Sequence, residues 1–149
     1  MNINYFMNEA IKEANYAYDN NEVPVGGVLV DSKTNQIIYK SHNKVNKEKN
    51  AIHHCEIDLI IHSCKSLSRK YLHDTVMFVT LEPCLMCASA ISEVHIDKLY
   101  FGAYDNKNGG IEKFKFQSKR EHIFKTDTYG GIMETDCKAL IDNFFKKLR

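Results

Sequence analysis

Thr80-Leu81-Glu82-Pro83-Cys84-Leu85-Met86-Cys87 decides how the rest of the chain is read. Before it, Thr75-Val76-Met77-Phe78-Val79-Thr80 is apolar and β-branched, the composition of a buried strand. After it, Cys84 to Glu93 has the spacing of a helix, with Ala88, Ile91 and Val94 turned inward. Glu82-Pro83 is therefore a strand-to-helix corner, where proline is favoured because its missing N–H would be unpaired anyway. C-x-x-C at that corner puts two thiolates on the first helical turn. Upstream, His54-Cys55-Glu56 supplies an imidazole and a carboxyl. Two Cys and one His are donors that tetrahedral zinc takes, and a catalytic zinc keeps its fourth position for water. Glu56 is then free to move that water's protons.

Other readings of the same residues compete. A C-x-x-C can be a redox dithiol, but that expects a thioredoxin-like βαβ context and leaves His-x-Glu without a purpose. A structural zinc needs a fourth protein ligand, and His53, Cys55, His62 and Cys64 lie nearby; it has no use for Glu56. His54 and Glu56 are two residues apart, a rotation of about 200° on an ideal helix. Both can serve one centre only near a helix start, where partial positive charge also favours hydroxide or thiolate.

Working outward, Ile3, Phe6, Met7, Ala10, Ile11, Ala14, Ala17 and Tyr18 mark a helix over 3–18. A strand over 23–30 is entered through Pro24. Its Gly26-Gly27 pair predicts either a close approach of backbone or ligand, or a bulge. After a turn at 31–35, residues 36–41 return as the second strand of a hairpin. Residues 42–50 form a polar, basic loop. A helix over 51–68 follows, with Asn50 as its candidate N-cap and Ile57, Ile60, Ile61, Cys64 and Leu67 as its buried side. Lys98 to Gly102 is a strand reached through a helix, hence parallel to its predecessor. Residues 103–110 are loop. In 111–121, Lys113, Lys115, Lys119 and Arg120 interleave with Phe114 and Phe116, which suits either a nucleic-acid track or an amphipathic surface segment. A short strand is expected within 122–129 and a turn at Gly130-Gly131. The last helix spans 135–148 and buries Leu140, Ile141, Phe144, Phe145 and Leu148. Alternating helices and strands predict one three-layer α/β/α domain over 1–149, with a five-stranded mixed sheet between helices.

With 20 Lys and Arg against 19 Asp and Glu, the net charge is +1, so any nucleic-acid surface must be a local patch. Five unevenly spaced cysteines predict reduced thiols and a cytoplasmic protein. The N-terminal residues lack a basic, apolar leader pattern, and no run approaches the roughly 20 apolar residues of a membrane span.

The pattern H-x-E…P-C-x-x-C is the signature of zinc-dependent nucleobase deaminases. With it stand Glu22-Val23-Pro24-Val25-Gly26, Asn43, Phe101-Gly102-Ala103-Tyr104-Asp105, and Gly131-Ile132-Met133-Glu134…Cys137 leading into an aromatic, basic helix. Over nearly its whole length the chain resembles the bacterial tRNA-specific adenosine deaminases, within the cytidine-deaminase-like superfamily. It departs from them in Cys55, where H-A-E is usual, in Asn50-Ala51-Ile52-His53, where D-P-T-A is usual, and in Tyr104, where arginine is usual. The resemblance implies one Zn2+ per subunit on His54, Cys84 and Cys87, and Glu56 as proton shuttle. It implies Asn43, Val25 and Asp105 as substrate contacts. It further implies a homodimer that converts the wobble adenosine of a tRNA anticodon stem-loop to inosine. A deaminase of free guanine, cytosine or deoxycytidylate would share every catalytic residue.

Overall fold

The computed structural model describes residues 1–117 and 123–149. The elements run α1 (Ile3–Asp19), β1 (Gly26–Asp31), β2 (Ile37–His42), α2 (Cys55–Leu67), β3 (Thr75–Leu81), α3 (Leu85–Glu93), β4 (Lys98–Ala103), α4 (Ile111–Gln117), β5 (Asp127–Tyr129) and α5 (Glu134–Lys147). The sheet order is β2-β1-β3-β4-β5. β1 pairs antiparallel with β2 and β3, whereas β3–β4 and β4–β5 are parallel. This is the expected mixed five-stranded sheet, with a hairpin on one edge and helical crossovers building the other.

Strand alternation sorts the core into two layers. On β3, Met77 and Val79 face α2, α3 and α4, packing with Leu29, Leu59, Ile91, Leu99 and Ile111. Val76 and Phe78 face the other way, onto Phe6, Met7 and Ala10 of α1 and Cys137 of α5. Phe78, Met7, Leu29 and Leu59 are among the largest fully buried side chains, each worth roughly 1.5–3 kcal/mol of burial. The two faces alternate along one strand, so a one-residue slip would exchange them.

Gly26 settles the two readings of the Gly-Gly pair. A Cβ there would lie 2.2 Å from Ala14 N and 2.3 Å from Ala10 O, so the backbone of α1 presses on β1 at this point. The bulge lies elsewhere in the strand, between Leu29 and Val30. Asn2 caps α1 by accepting from Tyr5 N at 3.0 Å.

Three expectations need correction. The second helix begins at Cys55, with residues 51–54 outside it and His54 as its N-cap. Asn50 instead closes a small turn, its Oδ1 accepting from Ile52 N at 3.1 Å. Because the helix starts later and rests on β1 and β2, Asp58, Leu59 and Ser63 join its buried side, while Ile61 is 58% exposed. On α5 only Cys137 and Phe144 are buried; Phe145 and Leu148 are 43% and 65% exposed. Of the basic-aromatic segment, 111–117 is a helix whose Phe114 packs against the core. Lys119 and Arg120 lie outside the described residues. No described helix is long and apolar enough to cross a membrane.

Candidate active site

β3 delivers the chain to one end of the sheet, where Glu82-Pro83 turns it into α3. Cys84 is the N-cap of α3, in extended conformation (φ −68, ψ 172), and Cys87 follows in its first turn with no exposure. His54 caps α2 in the same way (φ −71, ψ 156). The His54 side chain makes no cap hydrogen bond to α2, and the Cys84 thiol meets Cys87 in the first turn of α3, so the imidazole and both thiols face one another. His54 Nδ1 lies 3.7 Å from Cys84 Sγ and 3.6 Å from Cys87 Sγ. The three donors lie within 4.8 Å of one another.

That spacing fits zinc. Bonds of about 2.05 Å to nitrogen and 2.3 Å to sulfur at a tetrahedral angle put the donors about 3.6 Å apart. The donor chemistry fits as well. The thiol of Cys87 donating to Cys84 pulls the latter down to about 4; burial opposes this, and His54 adds to it. Cys87, as donor and buried, is pushed far up. Of the two thiols, Cys84 is thus the more readily deprotonated. Hydrogen bonding to Cys84 raises His54. With both thiols deprotonated on one Zn2+, three protein ligands leave a fourth position for water.

The four nearby candidates for the fourth ligand of a closed structural site are all engaged elsewhere. His53 Nε2 sits 2.8 Å from Asp58 Oδ1. His62 lies 3.2 Å from the same oxygen and stacks on Tyr39. Cys55 Sγ donates to Ser41 O at 3.3 Å, and Cys64 Sγ lies 3.9 Å from Lys70 O. Among the described residues the trio has no fourth protein ligand.

Glu56, in the first turn of α2, is 4% exposed and lines the cleft beside the trio. Burial pushes its carboxyl up from the ordinary carboxylate range. A carboxyl raised in this way is better suited than an ordinary one to accept a proton and return it.

The cleft encloses about 1210 Å³ and gathers Val25, Asn43, His54, Glu56, Cys84 and Asp105. Asn43 N donates to Val25 O at 3.0 Å, and Asn43 Oδ1 accepts from Cys55 N at 2.9 Å. Its amide nitrogen makes no hydrogen bond among the described residues. Asp105 turns its carboxylate onto its own loop, Oδ1 accepting from Lys107 N at 3.1 Å and Asn108 N at 2.9 Å.

The basic residues divide differently from their sequence order. Lys107, Lys113, Lys138 and Arg149 line the cleft. Lys44 turns away from the mouth to Asp58 at 2.9 Å, and Lys147 lies over the Tyr18 ring at 5.1 Å. Phe145 and Leu148, expected in the core, form part of the cleft wall instead.

Sequence reasoning missed two buried carboxylates that shape the surrounding loops. Glu22 accepts from Asn46 N at 2.9 Å and Lys47 N at 2.8 Å, and Asp58 gathers four side chains. Glu22 stood in a recognisable stretch, but nothing local marked its partners, which lie more than 20 residues away. A second cavity of about 870 Å³, lined by Ile91, Leu99, Ile111 and Phe124, lies away from the trio and contains none of its donors.

Residues 1–103 match the family described as the cytidine and deoxycytidylate deaminase zinc-binding region. The chain is similar to a tRNA-specific adenosine deaminase of Rickettsia felis, 40% identical over 96% of this chain and 100% of the relative. It is similar to the Bacillus subtilis protein of the same name, 38% identical over 97% of this chain and 89% of the relative. A solved structure from work on A-to-I editing by tRNA:A34 deaminases superposes with a TM-score of 0.85 at 36% identity, over 91% of this chain and 98% of that one.

Proposed function

The chain belongs to the cytidine and deoxycytidylate deaminase family, among the tRNA-specific adenosine deaminases, and from that premise we propose that it converts the wobble adenosine of a tRNA anticodon to inosine. The reading is carried by His54, Cys84 and Cys87, whose donor atoms lie within 4.8 Å of one another beside the buried carboxyl of Glu56, in a cleft that also carries Lys107, Lys113 and Arg149. The cleft's outer wall of Lys107, Lys113, Phe145 and Arg149 suits an RNA loop, with cations for phosphate and aromatic surface for stacking.

His54, Cys84 and Cys87 hold one zinc, which when bound brings the pKa of water toward neutrality. Glu56 receives the proton of the water whose oxygen attacks C6 of the purine. Glu56 passes that proton to N1, so the ring carries the added hydrogen while C6 becomes tetrahedral. The proton of the new C6 hydroxyl then passes, again through Glu56, to the 6-amino group, which leaves as ammonia as the C6 carbonyl forms. Adenosine and water thus give inosine and ammonia. Asn43 hydrogen-bonds the base with its free amide, and Val25 packs against it. Asp105 holds the 103–110 loop at the cleft edge. An anticodon loop is single-stranded, so its base leaves the stack at modest cost. The chain acts as one domain, in the cytoplasm and as a homodimer.

The test offers adenosine in an anticodon stem-loop beside free guanine, cytosine and cytidine, with inosine and ammonia as readouts. Turnover of the stem-loop alone is the expected result. Turnover of a free base with none of the stem-loop would replace this function with the free-base one.

A further inference from the structure

Asp58 is 2% exposed and lies one turn beyond the metal ligand His54, its N–H donating to His54 O at 3.1 Å. The mechanism above does not use it. Its Oδ2 accepts from the Ser41 hydroxyl and from Lys44 Nζ at 2.9 Å. Its Oδ1 accepts from His53 Nε2 at 2.8 Å and lies 3.2 Å from His62 Nε2. An ionised carboxylate only accepts, so His53 presents Nε2–H to it.

The origin of these partners is informative. Ser41 is the last residue but one of β2, Lys44 the second residue of the loop to α2, and His53 the last but one of that loop. Between Lys44 and His53 the loop runs outward, and Lys44 N donates to His53 O at 3.3 Å to close its neck. The next residue on either side is one that faces the cleft: Asn43 precedes Lys44, and His54 follows His53. Glu22 holds the outer loop at Asn46 and Lys47, through contacts that do not involve Asp58.

A buried ion pair of this kind gains little stability over a well-packed apolar pair, because desolvating both charges offsets their attraction. What it supplies is fixed geometry. The Cys55 N–H is one of the unpaired first-turn donors of α2, and Asn43 Oδ1 caps it from across the neck. Asn43 thereby has one orientation, with its amide nitrogen left for the cleft. If the neck opened, that cap would be the first contact to loosen.

We propose that Asp58 is a positioning residue for the reaction: it clamps both ends of the 43–54 loop, aiming Asn43 at the base and His54 Nδ1 at Cys84 and Cys87. The clamp stands on geometry alone. What Asn43 meets in the cleft rests on the adenosine-editing function proposed above.

Asp58→Asn keeps the side chain's shape and removes its charge. Amide hydrogen exchange by NMR reads the neck directly at Cys55 and Lys44, with Val28 and Phe78 in the paired β1 and β3 reporting global opening. The clamp predicts exchange at Cys55 and Lys44 at least about tenfold faster relative to those core amides. It predicts a stem-loop KM raised about tenfold, with a smaller fall in kcat, as expected when binding geometry is lost more than the chemical step. Should Asp58→Asn not accumulate as folded protein, Lys44→Met removes one arm of the clamp and must shift both readouts the same way. A lower melting temperature with unchanged KM and unchanged relative exchange would make Asp58 merely structural and overturn the proposal. Faster exchange with unchanged KM overturns it too. If the wild-type protein leaves the stem-loop untouched, the editing function fails, and the exchange measurement still decides the clamp.

Discussion

Cys55 stands between a metal ligand and the proton-shuttle candidate, and replacing it tests whether the metal centre is open or closed. Its sulfur has no exposure and points to Ser41 O, away from the trio. It fills the space under β1, since a Cβ on Gly27 would come within 3.0 Å of it. Burial pushes the thiol well above its usual range, and its S–H is held by Ser41 O, outside the group formed by His54, Cys84 and Cys87. Cys55→Ala therefore removes one buried, well-packed atom and a weak S–H···O contact. By analogy with other single buried-group deletions, the loss is about 1 kcal/mol. For a domain of this length that lowers Tm by roughly 2–4 °C. Zinc content should stay at one per chain, and turnover should stay near wild type. A larger residue such as leucine should cost more, because Gly27 and Leu59 leave no room. The assay pairs metal content after dialysis against a mild chelator with a melting curve. Loss of the metal in Cys55→Ala, with the fold retained, would refute the open three-ligand site and favour a closed structural one.

Three further outcomes follow from the same geometry. Glu56→Gln keeps the shape beside the trio and removes the proton carrier, so single-turnover inosine formation should fall by about 10²–10⁴-fold with zinc retained; a near-normal rate would remove Glu56 from its role. Stem-loop affinity should weaken with salt at a log–log slope of about −1.5 to −3 for two to four phosphate contacts, and replacing Lys107, Lys113 and Arg149 with alanine should flatten it, whereas Lys147→Ala should not. Asp58 is held down to about 2 from an ordinary 3.8, burial opposing while Ser41, Lys44 and His53 lower it. Its folded pKa is depressed, so its contribution of roughly 2 kcal/mol is present above the unfolded value, and about half is gone by about pH 3. The urea-midpoint gap between wild type and Asp58→Asn should narrow in that window, and a gap independent of pH would contradict the assignment.

The parts of the fold legible in the sequence are those fixed by local rules. The Thr75–Thr80 run, the Pro83 corner and the i, i+3, i+4 stripe of α1 each specify an element without reference to distant residues. Alternation on β3 was less informative, because both faces of that strand are buried and apolar. The limits of α2 and the buried side of α5 were not legible, since both depend on what the helix rests against. Phe145 and Leu148 fit a buried helical stripe as well as Phe144 does, yet they wall a cleft. Their sequence spacing cannot tell a core from a binding surface. Asp58 was invisible for a related reason: an acidic residue in a first helical turn looks like an ordinary helix-dipole partner. Only the return of β2 and the loop neck brings Ser41, Lys44 and His53 onto its carboxylate.

The later start of α2 is a condition of the site. Inside a helix from residue 51, His54 and Glu56 would point about 200° apart, and one of them would face away from the cleft. As the N-cap, His54 keeps extended dihedrals, so its imidazole is aimed by the loop and not by the helix. Glu56 is aimed by the helix. The short His-x-Glu spacing works because the two residues belong to different backbone regimes that meet at Cys55. Cys84 repeats the arrangement at α3, where an extended cap aims one thiol and the helix aims Cys87. Two helix starts thus each contribute one loop-directed and one helix-directed group, and both direct their partial positive charge at the same point. On this argument the precision of the centre depends on what holds the caps. At Cys84 the rigid Pro83 corner does so from within the chain. At His54 there is no proline, and the preceding residue is tied instead to Asp58.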